Sequence, residues 1–406
     1  MKCRHCHAPL SLEMIDLGTA PPSNAYLTKD QLNAPERYYP LRVLVCESCW
    51  LAQTQDFSQA DELFDETYAY FSSYSSTWLA HAKSYVELMR SRFALGATSL
   101  VMEVASNDGY LLQYFKAAGV PCFGVEPTKS TADAARAKGI DVVGEFFGQR
   151  LARVLRDQRG AVDLALGNNV LAHVPDINDF VAGFREILKP EGIVTFEFPH
   201  LLNLLQLTQF DTIYHEHYSY LSLSTVISIL RSQGLAVFDV EETPTHGGSL
   251  RVYAQREGTG RQSITPRVAQ LYEREQLFGL CSAAPYRAFA HRCFEIKTNF
   301  ISAVVKAKRE GKRIAAYGAA AKGNTLLNYA GIGADMIDYV VDQNPHKQGK
   351  FLPGSRIPIV AHFSTPSPDI VIILPWNIEG EIMEYLVSSL GSSVQYWTYK
   401  NLPAET

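Results

Sequence analysis

The chain has 406 residues, of which 47% are hydrophobic and 19% are charged. This composition excludes a disordered or fibrous chain, and the length favours about two or three globular domains. The net charge of −5 and the pI near 6.1 disfavour a surface built to neutralise nucleic-acid phosphates or anionic lipid. Because the chain has no long apolar run and no leader-like N-terminus, we expect a cytoplasmic protein that binds neither nucleic acid nor membranes.

Two C-x-x-C pairs lie in the first part of the chain. Their members are Cys3, Cys6, Cys46 and Cys49. Two such pairs can converge on tetrahedral zinc, and a site closed by four thiolates has a structural role. The alternatives are a redox C-x-x-C, a chance pattern, or replacement of one ligand by His5 or His7. We predict a zinc-binding domain over residues 1–56, in which the segment between the pairs forms strands or a lobe of its own.

From residue 57 helix formers come first, and beyond Gly96 buried strands alternate with helices. The predicted strands cover residues 100–104, 122–125, 141–143, 164–166, 193–198, 235–240 and 250–254. The last two have no helix between them, so the parallel sheet should end in an antiparallel edge. A seven-stranded sheet of this kind is the architecture of class I S-adenosylmethionine methyltransferases, and we assign it to residues 57–265.

A candidate cofactor loop, from Glu103 to Gly109, follows the first of these strands. It lacks the glycines that a dinucleotide pyrophosphate requires, which favours S-adenosylmethionine, whose carboxylate can lie at a helix N-terminus. Glu126 ends the second strand, where an acid that binds ribose hydroxyls is expected. The predicted cofactor-binding residues are Glu103, Ala105, Ser106, Asn107, Asp108, Gly109, Glu126, Pro127, Asn168 and Asn169.

Acidic and basic side chains follow the later strands. His173 comes after the fourth strand and His200 after the fifth, and Tyr214-His215-Glu216-His217 comes next. A zinc-protease motif is excluded because H-E-x-x-H would need a histidine where Ser219 stands. We therefore predict an acid–base cluster: one histidine removes a proton beside a carbonyl, and a tyrosine or another histidine stabilises the enolate oxygen.

The sequence resembles the nucleotide-sugar C-methyltransferases, which methylate C3 of 4-keto-deoxyhexoses. The resemblance runs along nearly the whole chain and rests on P-S-N at 22–24, E-V-A-S-N-D-G, G-V-E-P, N-V-L-A-H-V, F-D-T-I-Y-H-E-H, T-H-G-G-S-L-R and Y-G-A-A-A-K-G-N-T. It implies S-adenosylmethionine as the methyl donor, a nucleotide-diphosphate keto sugar as the substrate, and a structural zinc ion. It also implies that His217 is the catalytic base, with Tyr214 and Glu216 beside it. Tyr68 and His173 would reach the sugar, and chemistry alone would accept His215 as the base.

Residues 266–406 predict a second Rossmann-like unit after a helical stretch over residues 268–308. The segment Gly318 to Gly323 has the form G-x-A-x-x-G after a strand, and Asp342 follows it, a pattern that in isolation indicates a nicotinamide dinucleotide. The remaining length suffices for only one mononucleotide half. The resemblance implies instead that this unit helps to hold the nucleotide diphosphate. The predicted substrate contacts are His246, Arg251, Tyr317, Lys322 and Asn324.

Two other functions are compatible with parts of the sequence. An NAD(P)-dependent oxidoreductase acting on a nucleotide-linked keto sugar would use the loop at Gly318. A zinc-dependent nucleic-acid adapter would use the cysteine pairs, but the net acidity of the chain weighs against it.

Overall fold

The computed structural model of the chain describes residues 1–55 and 71–403. Its strands are Leu12–Ala20 (β1), Tyr39–Val45 (β2), Ala52–Thr54 (β3), Val101–Val104 (β4), Cys122–Val125 (β5), Val142–Val143 (β6), Val162–Asn168 (β7), Leu188–Pro199 (β8), Ser219–Tyr220 (β9), Leu235–Thr243 (β10), Ser249–Arg256 (β11), Ile314–Tyr317 (β12), Tyr339–Val341 (β13), Ile359–Val360 (β14), Ile370–Ile373 (β15) and Gln395–Trp397 (β16). Its α-helices are Ser76–Arg92 (α1), Leu112–Ala117 (α2), Lys129–Ala137 (α3), Gln149–Arg159 (α4), Ile177–Ile187 (α5), Leu201–Gln206 (α6), Leu223–Ser232 (α7), Pro266–Phe278 (α8), Ala284–Arg309 (α9), Ala321–Ala330 (α10) and Glu379–Leu390 (α11).

The chain forms two compact units, each assembled from three separate segments. The first comprises Met1–Ser11, Cys46–Leu202 and Tyr218–Ser282, and the second comprises Leu12–Val45, Asn203–His217 and Ala283–Thr406. The boundaries that we predict after residues 56 and 265 run along the chain, whereas each compact unit collects distant segments.

The first unit carries a seven-stranded sheet in the order β10-β11-β8-β7-β4-β5-β6. Strands β4 to β8 pair in parallel, while β11 pairs antiparallel with both β10 and β8. Every residue of β4 is buried, as expected for a central parallel strand with helices on both faces. The predicted seven-stranded sheet with an antiparallel edge is confirmed.

The cysteine pairs are built into the core of this first unit. Cys3, Cys46 and Leu51 belong to the same buried cluster as Met102 of β4 and Leu223 of α7. The N-terminal cysteines are therefore packed with the methyltransferase-type sheet.

The second unit contains a five-stranded parallel sheet in the order β14-β13-β12-β15-β16, which confirms the predicted C-terminal α/β fold. It also contains the antiparallel pair β1 and β2, which joins Leu12 to Val45. The segment between the cysteine pairs thus forms strands, as predicted, but these strands belong to the second unit.

The helical stretch predicted over residues 268–308 is two helices, α8 and α9. Gly279 ends α8 in the left-handed conformation, with φ of 90°, and a proline lies in the first turn of α9. Within the described part of the chain, no helix has both the length and the apolar character of a membrane span.

Candidate active site

The four predicted zinc ligands lie together in the first unit. The Sγ atoms of Cys3 and Cys49 are 3.6 Å apart, those of Cys6 and Cys46 are 3.5 Å apart, and all four lie within 4.8 Å of one another. Zinc–sulfur bonds of about 2.3 Å in a tetrahedron require sulfur–sulfur distances of about 3.8 Å, so the cluster fits zinc. Gln53 donates a hydrogen bond to Cys3 Sγ at 3.3 Å and helps to orient it.

His5 lies near this cluster in sequence but makes other contacts. Its Nδ1 is 2.8 Å from Asn178 Oδ1, and its Nε2 is 3.3 Å from Ser228 Oγ. Among the described residues, the four cysteines are the one group of His, Cys, Asp or Glu side chains suited to hold a metal. Four thiolates leave no open position, so zinc bound here has a structural role.

The loop after β4 is held in an uncommon backbone conformation. Ala105, Asn107 and Gly109 have φ values of 56°, 48° and 74°, and left-handed residues with a Cβ concentrate at functional sites. Gly124 of β5 lies against this loop, because a Cβ at that position would be 2.2 Å from Ser106 Oγ. The glycine of the G-V-E-P motif therefore makes room for the loop.

Buried polar atoms without hydrogen-bond partners concentrate where β4 and β7 end. Within the described residues these atoms are both carboxylate oxygens of Glu103, Ser106 Oγ, Asp108 Oδ1, the side-chain nitrogen and oxygen of Asn168, and Asn169 Oδ1. Burying such a group unpaired costs about 1–3 kcal/mol. Their concentration at one end of the sheet fits a polar ligand that supplies the missing hydrogen bonds.

Three carboxylates surround this loop. Glu126 Oε2 accepts the Asn107 N–H at 2.9 Å, and Asp108 lies 3.2 Å from Lys138 Nζ. Burial raises the pKa of Glu126 and raises that of Glu103 well above its usual range. A ligand with hydroxyl groups and positive charge fits these acids, and S-adenosylmethionine has both.

The structure brings the predicted cofactor residue Asn169 and the predicted substrate residue His246 together. Asn169 Nδ2 donates to His246 Nε2 at 2.9 Å. The ring of Trp78 contacts His246 edge-on at 5.1 Å and stacks on Tyr110 at 5.8 Å. Trp78 lies on α1, and no sequence pattern links it to Tyr110 and His246, because these partners are far away in the chain.

Arg251 lies in a buried ion-pair network. Its Nη2 is 2.6 Å from Glu197 Oε2, its Nη1 is 2.8 Å from Glu241 Oε2, and its Cζ lies 4.8 Å from the centre of the Tyr85 ring. Although burial raises the pKa of Glu197, the hydrogen bond from His81 and the charge of Arg251 hold it at about 2. The predicted contact of Arg251 with the substrate would compete with two carboxylates.

In the second unit, the tautomer of His217 is set by a backbone hydrogen bond. Its Nδ1 lies 2.8 Å from the carbonyl oxygen of Thr212, so Nδ1 carries the proton and donates it. The lone pair of the neutral ring is therefore on Nε2. The Tyr214 ring packs on the imidazole with centroids 4.0 Å apart. A neutral imidazole held in this tautomer can accept a proton at Nε2.

His215 has a different environment. Its Nε2 donates to the carbonyl oxygen of Tyr39 at 3.2 Å, and burial lowers its pKa. The remaining nitrogen, Nδ1, is buried and has no hydrogen-bond partner among the described residues. The nitrogen of His215 that could accept a proton, Nδ1, is therefore buried within the protein.

Glu216 lies between these histidines in the sequence and is buried. Asn24 Nδ2 donates to its Oε1 at 3.0 Å. Burial raises the pKa of the Glu216 carboxyl, which favours its neutral form.

The loop after β12, which carries the G-x-A-x-x-G pattern, is packed by its own chain. A Cβ on Gly318 would lie 2.5 Å from Pro375 Cδ, and a Cβ on Gly323 would lie 2.7 Å from Leu374 Cδ1. Both glycines are thus explained by packing within the second unit.

Asp342 also has partners within this unit. It accepts the Ala319 N–H at 2.7 Å and lies 3.6 Å from Lys347 Nζ. Lys347 Nζ and Tyr26 Oη both donate to the carbonyl oxygen of Ala319, at 2.8 and 2.7 Å. The acid that a dinucleotide site would use for ribose is therefore bonded to the loop itself.

The predicted substrate residues of this unit differ in their surroundings. Tyr317 stacks on Phe363 at 6.4 Å, and burial raises its pKa to about 12. Lys322 Nζ lies 3.2 Å from Asn377 Oδ1, and burial lowers its pKa to about 8. Asn324 Oδ1 is buried and has no hydrogen-bond partner in the part of the chain that the structure describes.

Sequence reasoning gave no role to a cluster around Asp211. This buried carboxylate accepts hydrogen bonds from Trp376 Nε1 at 2.5 Å and from Tyr399 Oη at 3.0 Å. Lys400 Nζ lies 3.3 Å from the centre of the Trp376 ring. Asp211 belongs to the F-D-T-I-Y-H-E-H motif, but its partners lie in no motif, so sequence alone gave no signal for them.

Three further candidates complete the set. His173 is half-buried, and its N–H donates to the Val170 carbonyl at 2.8 Å. Pro127 is half-buried directly after Glu126. Tyr68 lies outside the described residues.

Comparison with known proteins relates three successive parts of the chain to family profiles. Residues 3–64 match a zinc binding domain, residues 78–240 a methyltransferase domain, and residues 244–397 a C-methyltransferase C-terminal domain.

Individual relatives differ in how much of the chain they match. The C-methyltransferase NovU of Streptomyces niveus is 34% identical over 385 residues, which cover 94% of this chain and 91% of NovU. The uncharacterized methyltransferase ML2584 of Mycobacterium leprae is 31% identical over 100 residues, 24% of this chain and 36% of the relative. Among solved structures, magnesium protoporphyrin IX methyltransferase (ChlM) of Synechocystis PCC 6803 gives a TM-score of 0.35 at 17% identity, over 44% of this chain and 83% of ChlM. The match to NovU extends over nearly the whole chain.

Proposed function

The chain belongs to the C-methyltransferase family, and from this premise we propose that it transfers a methyl group from S-adenosylmethionine to C3 of a nucleotide-linked 4-keto-deoxy sugar. The observation that carries the proposal is the fixed tautomer of His217. A C-methyltransferase must make a carbon nucleophile, and the carbonyl at C4 acidifies the C3–H bond enough for an imidazole to remove the proton.

In this proposal His217 Nε2 removes the C3 proton while Nδ1–H stays bonded to the Thr212 carbonyl. Negative charge then develops on the C4 oxygen, and a hydrogen-bond donor, either Tyr214 or His173, stabilises the enolate. Tyr68 is a further candidate for contact with the sugar. The imidazolium at His217 is a transient state, and its proton must later leave to solvent.

S-adenosylmethionine, when bound, supplies an electrophilic methyl group on a sulfonium centre, which C3 accepts with release of S-adenosylhomocysteine. Glu126 would hold the ribose hydroxyls, and the unpaired polar atoms of Ser106, Asn168 and Asn169 would hold other polar groups of the cofactor. Lys322 is the candidate for the nucleotide diphosphate, since it offers an ammonium. Asn324 is the candidate for a ribose hydroxyl of the nucleotide, since its buried Oδ1 can accept a hydrogen bond. Tyr317, His246 and Arg251 are the other candidates for substrate contact.

Mass spectrometry tests the reaction directly. The protein is incubated with S-adenosylmethionine and thymidine-, cytidine-, guanosine- or uridine-linked 4-keto sugars, and the products are searched for the gain of one methyl group. We expect methylation of at least one sugar. Conversion of a keto sugar that depends on NAD(P)H and adds no methyl group would refute the proposal.

Exchange in deuterium oxide tests the base. The C3 proton of the keto sugar should exchange on the wild-type protein, and His217→Ala should slow exchange and methyl transfer by about 10²–10⁴-fold, or roughly 3–5 kcal/mol of barrier. Binding of S-adenosylmethionine should be unchanged in this variant. His215→Ala is the matched control and should keep most of the wild-type rate. If the two variants exchange these behaviours, the base is His215.

A further inference from the structure

A turn from the segment between the two cysteine pairs is fixed within the second unit. Ala25 N–H donates to the Pro22 carbonyl at 3.1 Å, and Tyr26 N–H donates to the Asn24 carbonyl at 2.9 Å. These two bonds close a tight turn around Asn24.

Helix α10 and the loop before it hold this turn on both sides of Asn24. Asn324 Nδ2 donates to the Ser23 carbonyl at 2.6 Å, and Tyr26 Oη donates to the Ala319 carbonyl at 2.7 Å. The residues before and after Asn24 are therefore anchored, and its short side chain has little freedom.

The side chain of Asn24 ends on a buried acid. Its Nδ2 donates to Glu216 Oε1 at 3.0 Å, and only 2% of Glu216 is exposed. An amide N–H on Oε1 favours the carbonyl form of that oxygen when the carboxyl is neutral. The carboxyl proton is then carried by Oε2.

We propose that Asn24 is a positioning residue for methyl transfer, because its amide fixes the rotation of the Glu216 carboxyl and selects the oxygen that carries the proton. This inference rests on the proposed function, in which Glu216 belongs to the segment that supplies the base. The raised pKa of Glu216 is consistent with a proton being present to position. Asn24 lies within residues 3–64, which match a zinc binding domain, yet it donates a hydrogen bond to Glu216, which is far from the cysteines in the sequence.

Kinetics of two Asn24 variants test the inference. Asn24→Ala should lower kcat by about 3- to 10-fold, the equivalent of one intramolecular hydrogen bond, with no change in KM for S-adenosylmethionine. Asn24→Asp keeps the side-chain shape but has no side-chain N–H donor when ionised, so it should also lower kcat. Asn328→Ala removes an amide that donates to the carbonyls of Asn324 and Pro353 instead, and should keep the wild-type kcat.

A double-mutant cycle separates positioning from general destabilisation. In a Glu216→Ala background, Asn24→Ala should cause no further loss of kcat, because its effect passes through the carboxyl. Additive losses, or a wild-type kcat in Asn24→Ala, would overturn the inference.

Infrared spectroscopy gives a readout that does not depend on the substrate. The carbonyl band of the neutral Glu216 carboxyl is assigned by its loss in Glu216→Gln, and it should move to higher frequency in Asn24→Ala as the hydrogen bond to Oε1 is lost. An unmoved band would overturn the inference even in an active enzyme. Absence of methyl transfer with every sugar in the wild type would instead refute the proposed function, while the band still tests the Asn24 contact.

Discussion

The chain contains two loops of the same topological kind, each linking the first strand of a parallel sheet to a helix. In the loop after β4, buried polar atoms of Glu103, Ser106 and Asp108 have no hydrogen-bond partner among the described residues. In the loop after β12, the space beside Gly318 is occupied by Pro375, and the space beside Gly323 is occupied by Leu374 of the same unit. The first loop is left for a ligand to complete, and the second is completed by protein.

The two acids that follow the next strands, Glu126 after β5 and Asp342 after β13, differ in the same way as the two loops. Glu126 and Asp342 each accept two backbone N–H groups, one of them from the loop, at 2.9 and 2.7 Å. Asp342 also lies 3.6 Å from Lys347 Nζ. The loop that looks more like a dinucleotide motif in sequence is therefore the one with less need of a nucleotide. A glycine pattern indicates close packing, and only the partners of the loop show whether a ligand or the protein provides it.

The largest effect is expected from loss of the zinc cluster, which supports β4 and the first loop but not the second. Cys46 and Cys3 share a core with Met102 and Val104 of β4, and structural zinc contributes on the order of 10 kcal/mol in small domains. Cys46→Ser should release zinc, lower the unfolding temperature of the first unit and abolish binding of S-adenosylmethionine. Elemental analysis and calorimetry measure these effects, with Cys281→Ser as the control. A metal-free preparation that binds the cofactor normally would contradict this prediction.

The next effect compares the two acids. Glu126→Ala should weaken S-adenosylmethionine binding by about 1.5–3 kcal/mol, or about 10- to 150-fold, because charge-assisted hydrogen bonds to the ribose are lost. Asp342→Ala is the matched control and should leave this affinity unchanged. Titration calorimetry decides the matter, and equal losses in both variants would end the distinction between the loops.

A glycine substitution tests the packing of the second loop. Gly318 has φ of +88°, and an added Cβ would meet Pro375 at 2.5 Å, so Gly318→Ala should lower the free energy of unfolding by about 1–3 kcal/mol. Gly331 has φ of +69° with no atom within 4 Å of its Cβ position, so Gly331→Ala measures the backbone strain alone. Denaturant titration should show the larger loss for Gly318→Ala, with S-adenosylmethionine affinity unchanged in both variants. Equal losses would show that no clash occurs.

The smallest effect concerns pH and Glu103, the buried acid at the start of the first loop. Burial raises the pKa of Glu103 well above its usual range, so the folded state holds a proton that the unfolded state releases. The ligand-free protein should therefore lose stability as pH rises from the ordinary carboxyl range through the raised pKa. Glu103→Gln should remove this loss at pH 8, have little effect at pH 4, and weaken cofactor binding. Thermal unfolding across this range measures it, and an identical pH dependence in both proteins would exclude Glu103 as its source.

Local patterns predicted much of this molecule. The spacing of the cysteines predicted the four-thiolate cluster, and the alternation of buried strands with helices predicted the seven-stranded sheet. Those features depend on residues that are close in sequence or on strand order, which simple rules describe.

The remaining features depend on partners that no local pattern connects. Arg251 looked like a substrate contact from its motif, yet Glu197 and Glu241 bind it in a buried network. Asn24 and Glu216 are 192 positions apart, and nothing in either motif predicts their hydrogen bond. Tertiary packing decides which partner a buried polar side chain bonds, and a sequence shows only that the side chain needs a partner.

The second unit has a consequence for how the protein is made. Its hairpin, β1 and β2, is synthesised well before α9 and α10, the helices against which β1 packs. At about 5–20 residues per second, the hairpin must wait tens of seconds for these helices, with its apolar face unburied. A fragment that ends at Ser282 would contain the hairpin but lack α9 and α10. The apolar face of the hairpin would then stay exposed, so such a fragment should need chaperones to avoid aggregation.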